Sequence, residues 1–395
     1  MAIRNLSILT ISLLVLVLGC REPFEVEVPS GNSLLVVDGM ITDQPGPYMI
    51  KLSRSSPLGN TDFPAESGAI VTIQTASGHS EILEESMDGY YFTSETGLQG
   101  EIGEQYQLTI QTRDEATYQS DWKLLKRSPP IDSVYFTFME QDSREGLLQG
   151  MQTFVDTRDP TNETRYYRYQ WTESWQYRVP YATPFKYLGN DNVRIIEEKE
   201  TCWMEVPSTS INIVSTIQND QDIVSRHPIL YVTTKTPRLR IRYSLLVHQY
   251  ALDEEEYFFW KNLKETVNES GTLFDRQPQS ITGNLHRVNS TEPVLGYFSA
   301  SSVASKRIFI DRSIDVPEEV VVDATLITLC TSDTYVIDKS ATSDAEVFEA
   351  IDRGLVFHDF WRDFVNITGY IITTVPCSDC TYHGGTTEKP GYWID

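Results

Sequence analysis

Apolar and polar residues alternate with a period of two along most of the chain, the signature of half-buried strands. Leu34-Leu35-Val36-Val37 reads as a short buried strand closed by Asp38-Gly39. Tyr48, Ile50 and Leu52 alternate with Met49 and Lys51, and Tyr106, Leu108 and Ile110 alternate with Gln107, Thr109 and Gln111. Residues 69–73 and 90–92 predict two more strands. Turn signals lie between them at Gln44-Pro45-Gly46, Ser77-Gly78 and Asp88-Gly89. Short strands at this spacing predict an immunoglobulin-like β-sandwich over residues 33–128. Ser128-Pro129-Pro130 is a stiff, non-helical connector, and residues 131–395 are expected to form a larger β-rich domain with two short helices. The fold class is therefore mainly β.

Residues 165–177 carry the strongest strand pattern. Tyr167, Tyr169, Trp171, Trp175 and Tyr177 fall on one face, with Arg168, Gln170, Thr172, Ser174 and Gln176 on the other. Such a wall of rings is either the core face of a sandwich strand or a platform for a glycan, peptide or partner. Residues 239–247 predict a further strand. The first helix starts at Asp253-Glu254-Glu255-Glu256, with Asp253 as N-cap and Glu256 completing a capping box. Phe259, Leu263 and Val267 share one face, and Gly271 ends it. The second runs over residues 344–353, with Ser343 and Glu346 as its capping box and Gly354 as its stop.

Length and charge sharpen this picture. The 395 residues leave room for two or three domains, and 40% hydrophobic content rules out wholesale disorder. The net charge is −24. That excludes a nucleic-acid binder or an anionic-membrane binder, because the protein's field repels phosphate.

The first nineteen residues carry only Arg4 as a charge, followed by an apolar run over residues 8–18. That run is too short to span roughly 30 Å of hydrocarbon as a helix. It fits the core of a secretory signal over residues 1–19. The signal ends Val17-Leu18-Gly19-Cys20, which resembles a bacterial lipobox and makes Cys20 the lipidation site. Residues 20–32 then read as an extended acidic tether, with Pro23 and Pro29 opposing helix. The body hangs from its lipid in this reading.

Four thiols remain: Cys202, Cys330, Cys377 and Cys380. An even number in an exported chain points to two disulfides, with three connectivities open. Cys377, Cys380 and His383 also have the spacing of a partial zinc site, but the envelope is oxidising and there is no second close pair. No metal or cofactor is expected. The tail from Cys377 to Trp393 is expected to fold back and be tied by a disulfide to Cys202 or Cys330. Otherwise Tyr382, Tyr392 and Trp393 would be left in water. The chain has no nucleophile elbow, zinc-protease pair, phosphate loop or dinucleotide fingerprint, and its six histidines are scattered. It is not expected to be an enzyme.

Several strings resemble the Bacteroidota family called domain of unknown function 4249. They are the lipobox with Glu22-Pro23-Phe24, Leu35-Val36-Val37-Asp38-Gly39-Met40-Ile41-Thr42-Asp43, residues 243–250, Gly271-Thr272-Leu273-Phe274-Asp275, Gly283-Asn284-Leu285, Leu295-Gly296-Tyr297-Phe298-Ser299-Ala300, and the tail from Cys377 to Trp393. Their order spans nearly the whole mature chain. The resemblance implies an outer-membrane lipoprotein, lipid-anchored and facing the cell surface, that accompanies a TonB-dependent β-barrel receptor. It implies no activity and transfers no functional residues. The resulting expectation is a binding or accessory subunit for nutrient import or envelope assembly. A stand-alone glycan- or peptide-binding lipoprotein is the alternative.

Overall fold

A computed structural model describes residues 33–56, 63–143, 146–269, 281, 283–322, 325–340 and 344–394. The signal over 1–19, Cys20, the tether over 20–32, Gly271 and Ser343 lie outside the described residues. Among the described residues no helix is long and apolar enough to cross a membrane.

The first sandwich follows directly from the alternating pattern. One sheet orders the strands Leu295–Ser301, Leu35–Thr42, Met49–Arg54, Tyr90–Phe92 and Glu84–Met87. The other orders Leu285–Arg287, Thr117–Ser120, Gln105–Gln111, Ile70–Thr75 and Ser80–Ile82. The inward residues Leu35, Val37, Ile50, Leu52, Val71, Ile73, Leu108 and Ile110 are fully buried in one core. Asp38-Gly39 does not close the first strand. The strand runs on to Thr42, because Gly39 faces inward and leaves the space that the Ile50 side chain fills. A Cβ there would stand 2.3 Å from Ile50 Cδ1.

Two strands of this sandwich come from far along the chain. Residues 295–301 pair in parallel with residues 36–42, and residues 285–287 pair with residues 118–120. The first sandwich is thus not confined to residues 33–128: the segment 283–301 leaves the expected second domain and completes it. Parallel pairing has to come from elsewhere in the sequence, because a tight hairpin cannot supply it. Gly296 permits the approach. Its φ is +94°, and a Cβ would lie 1.8 Å from the Val37 carbonyl oxygen.

Two more sheets share a second core. One contains Ile131–Ser143, Gly146–Asp159 and Asp222–Thr233. The other orders Thr201–Pro207, Tyr166–Arg178, Arg242–Ala251 and Val303–Asp311, with Asn212–Ser215 also on the Tyr166–Arg178 strand. Gln249 is fully buried at the joint between the two cores. Its amide nitrogen donates to the Pro129 carbonyl (2.7 Å) and to Ser128 Oγ (3.2 Å). Its oxygen accepts from Thr157 Oγ1 (2.5 Å) and the Tyr169 hydroxyl (3.0 Å). The connector is therefore clamped through Ser128 and Pro129, which are buried, while Pro130 faces solvent.

A third, smaller core was not anticipated as a separate unit. The strands Tyr335–Asp338, Asn366–Thr374 and Leu355–Asp363 form its sheet, covered by helix Asp344–Asp352 and the hairpin Phe185–Gly189/Asn192–Ile195. Tyr187 from that hairpin packs among Phe357, Phe360 and Tyr370.

The first helix spans Glu254–Glu269, and Asp253 Oδ1 accepts the Glu256 N–H at 2.8 Å, as an N-cap should. The capping box is only half realised. The Glu256 side chain turns inward to accept from Ser299 Oγ (2.5 Å) and the Trp260 indole (3.3 Å). Val267 is exposed, so the buried face of the helix stops short of it. The second helix ends at Gly354, whose φ is +91°. Three further short helices, residues 312–315, 325–332 and 375–378, carried no sequence signal strong enough to predict them.

Replacing Gln249 by Leu would strand three buried polar groups from three separate segments, the Pro129 carbonyl, Thr157 Oγ1 and the Tyr169 hydroxyl, while Ser128 Oγ keeps its bond to the main-chain carbonyl at position 249. The expected loss is about 3–5 kcal/mol of unfolding free energy, measured by denaturant titration of the oxidised protein. A loss below about 1 kcal/mol would mean that these groups find other partners.

Candidate partner-contact site

The C-terminal tail builds the most heavily cross-linked part of the molecule. Cys202 is bonded to Cys380 and Cys330 to Cys377, so both tail cysteines are tied to distant strands or helices, as the latch requires. With every one of these sulfurs in a disulfide, none is left as the thiolate that a zinc site at Cys377, Cys380 and His383 needs. Backbone pairing extends the tie. Trp203 and Thr386 exchange hydrogen bonds at 2.8 and 2.9 Å, the Tyr181 N–H donates to the Cys377 carbonyl and the Cys380 N–H to the Lys199 carbonyl. Trp393 is buried edge-on against Phe309, and Tyr392 lies under the Arg307 guanidinium while donating to Glu205. Tyr382 departs from expectation: it is 64% exposed, because the short helical turn Cys380–His383 points it outward.

Asp379 holds that turn together. Burial alone would raise its carboxyl, but the Thr381 hydroxyl and N–H and the Lys199 ammonium outweigh this and hold it below the usual range.

The five rings of the aromatic strand face mostly inward. Tyr167, Tyr169, Trp171 and Tyr177 are buried, and only Trp175 is partly exposed. Their hydroxyls are engaged internally: Tyr167 donates to Asp222 at 2.6 Å, Tyr169 to Gln249, and Tyr177 to the Cys380 carbonyl at 2.6 Å. The ring face is thus a core face, covered by the strands Ile131–Ser143 and Gly146–Asp159 of the facing sheet. A stacking platform across all five rings is not available, because four of them are buried. Trp175 and Tyr177 instead line an apolar cleft of about 300 Å³ with Met204, Pro237, Leu326 and Leu329, beside the Cys202–Cys380 bond.

A second exposed apolar feature escaped the sequence reading. The strands Leu355–Asp363 and Asn366–Thr374 are joined by a two-residue turn, Phe364-Val365. Phe364 is 95% exposed and Val365 85%, with Trp361 also exposed on the same hairpin. Phe364 takes φ +52°, a conformation normally left to Gly, Asn or Asp. The turn lacks those residues, so nothing in its composition announces a reversal. The usable signal is an apolar pair enclosed by Asp363 and Asn366 within an otherwise aromatic stretch.

A family model described as a domain of unknown function (DUF4249) matches residues 21–307. The chain belongs to that family. The match ends before the latch, so the resemblance read in the tail from Cys377 to Trp393 lies outside it. No curated protein matches the chain.

Three outcomes are expected here. Non-reducing peptide mapping should recover the Cys202–Cys380 and Cys330–Cys377 peptides. These bonds join residues 178 and 47 apart in sequence. Replacing both cysteines of either pair by Ser should cost roughly 5 and 4 kcal/mol respectively in the chain-entropy treatment. The depressed Asp379 carboxyl stabilises the tail above its unfolded pKa, and that contribution is lost as pH falls through the lower folded value. Asp379→Asn should therefore lower the thermal midpoint near neutral pH. The gap from wild type should narrow below about pH 4; a constant gap would assign Asp379 a purely steric role.

Proposed function

We propose that the protein is a lipid-anchored accessory subunit of a TonB-dependent β-barrel in the outer membrane of Bacteroidota, serving nutrient import or envelope assembly. The address rests on the lipobox ending at Cys20 and on two disulfides, which belong to an oxidising compartment. Glu22, Glu25 and Glu27 lie just after Cys20, a composition that resembles surface-export signals of such lipoproteins.

The observation that carries the partnership is the hairpin tip. Phe364 and Val365 hold apolar area in water on a strained turn, at the end of a hairpin whose base is packed into the third core. Water-facing apolar groups fixed in this way are typical of surfaces that meet another protein. A barrel partner would supply the membrane passage and the energy coupling, leaving this chain to bind and orient. Burial of the aromatic strand weakens the alternative of a glycan-stacking module, which needs flat rings at the surface.

At native expression, mild detergent extraction should co-purify a TonB-dependent barrel with the wild-type chain. Cys20→Ala should release the chain from the membrane fraction. Phe364→Ser with Val365→Ser should leave the thermal midpoint in place and lower barrel recovery several-fold. Recovery of the wild type as a free lipoprotein alone would overturn the reading.

A further inference from the structure

A cleft of about 460 Å³ opens where three parts of the molecule meet. The strand Leu35–Thr42 brings Asp38, the outer face of the aromatic strand brings Arg168, and helix Glu254–Glu269 brings Trp260. The Arg168 guanidinium lies over the Trp260 indole, 3.6 Å from the ring centre. The residue is part-buried. Burial pushes its pKa below the usual guanidinium range, and the nearby Glu256, Tyr250 and Asp38 offset this only in part.

Among the described residues the Arg168 side chain makes no ion pair and donates no hydrogen bond, and its guanidinium stacks on the indole. Scarcity of acids does not explain this in a chain of net charge −24. Arg54, Arg238, Arg242 and Arg287 each grip a carboxylate. Glu256, the buried acid beside Arg168, is already committed to Ser299 and Trp260. The Arg168 N–H groups are left to water and to whatever enters the cleft, while the indole holds the guanidinium flat.

We propose that this cleft binds a small carboxylate-bearing molecule, with Arg168 as its anchor. The planar guanidinium presents paired N–H donors that match a carboxylate in bidentate fashion, and the indole beneath fixes its plane. A carboxylate fits better than phosphate, because Asp38 at the rim would repel a second negative charge. Ser208 lines the same cleft. Its oxygen accepts the Trp171 N–H at 3.0 Å, so its hydroxyl hydrogen remains to donate to a ligand oxygen. Met40, Met49 and Leu263 supply an adaptable apolar wall, and the volume suits a ligand of a few residues or one ring. The inference stands apart from the barrel partnership and is tested on the isolated chain.

The test is a fluorine NMR titration of the folded, oxidised protein labelled with 5-fluorotryptophan, the Trp260 resonance being assigned with Trp260→Phe. The probes are trialanine, trialanine amide, 3-phenylpropionate and inorganic phosphate. At least one of the two carboxylates should shift the Trp260 resonance saturably, and the amide should not. Trialanine alone acting would identify a peptide C-terminus, and 3-phenylpropionate alone a non-peptide acid. Arg168→Gln should weaken binding at least tenfold. Arg168→Lys keeps the charge, so the protein should stay folded, but it loses the paired donors and should bind several-fold more weakly. No response to either carboxylate, equal response to the amide, tighter binding of phosphate, or titrations unchanged in both variants would each overturn the proposal.

Discussion

The body of this protein is organised around one buried side-chain amide. Gln249 satisfies both of its N–H groups and both lone pairs with partners from the connector, from the strand Gly146–Asp159 and from the aromatic strand. A fully matched amide in the interior tolerates little displacement of any partner, since each unmade bond leaves a dry polar group. Ser128 adds a second constraint, with its N–H on Ser302 Oγ at 2.6 Å. A segment that reads as a linker is thereby fixed through Ser128 and Pro129.

Chain routing reinforces this joint. After contributing to the second core, the chain returns through residues 283–301 to complete the first sandwich, and then resumes in the second with Val303–Asp311. Lys123 of the first sandwich, itself buried, pairs with Asp253 and donates to the Tyr297 hydroxyl at 2.8 Å. The same Asp253 caps the helix that carries Trp260. The walls of the Arg168 cleft are thus set by one connected group of contacts. The latch plays the corresponding role at the other end, where two long-range bonds hold a tail rich in Gly and Pro that could form no regular element alone.

These features divide the molecule by exposure. The strongest aromatic pattern is committed to packing, while the surfaces free to meet other molecules are a hairpin tip, an apolar cleft beside a disulfide and a polar cleft at the junction of the sandwiches. The two clefts are each assembled from segments separated in sequence, whereas the hairpin tip is one contiguous stretch, residues 361–365.

Most strands and the N-cap at Asp253 were legible in the sequence, because period and capping chemistry act over a few neighbouring residues. The latch was legible as well: two cysteines in a tail with buried-type rings have few ways to be satisfied in an oxidising compartment. The meaning of Gly39 was not, because it depends on Ile50 across the sheet. Neither was the return of residues 283–301, since parallel pairing leaves no local turn signal. The burial of Tyr167, Tyr169 and Trp171 was decided by the facing sheet, because a strand's alternation marks an apolar face without saying what covers it. Arg168 read as one polar residue of the outer face; only the tertiary structure placed it over an indole, beside Glu256 and Asp38 but in an ion pair with neither.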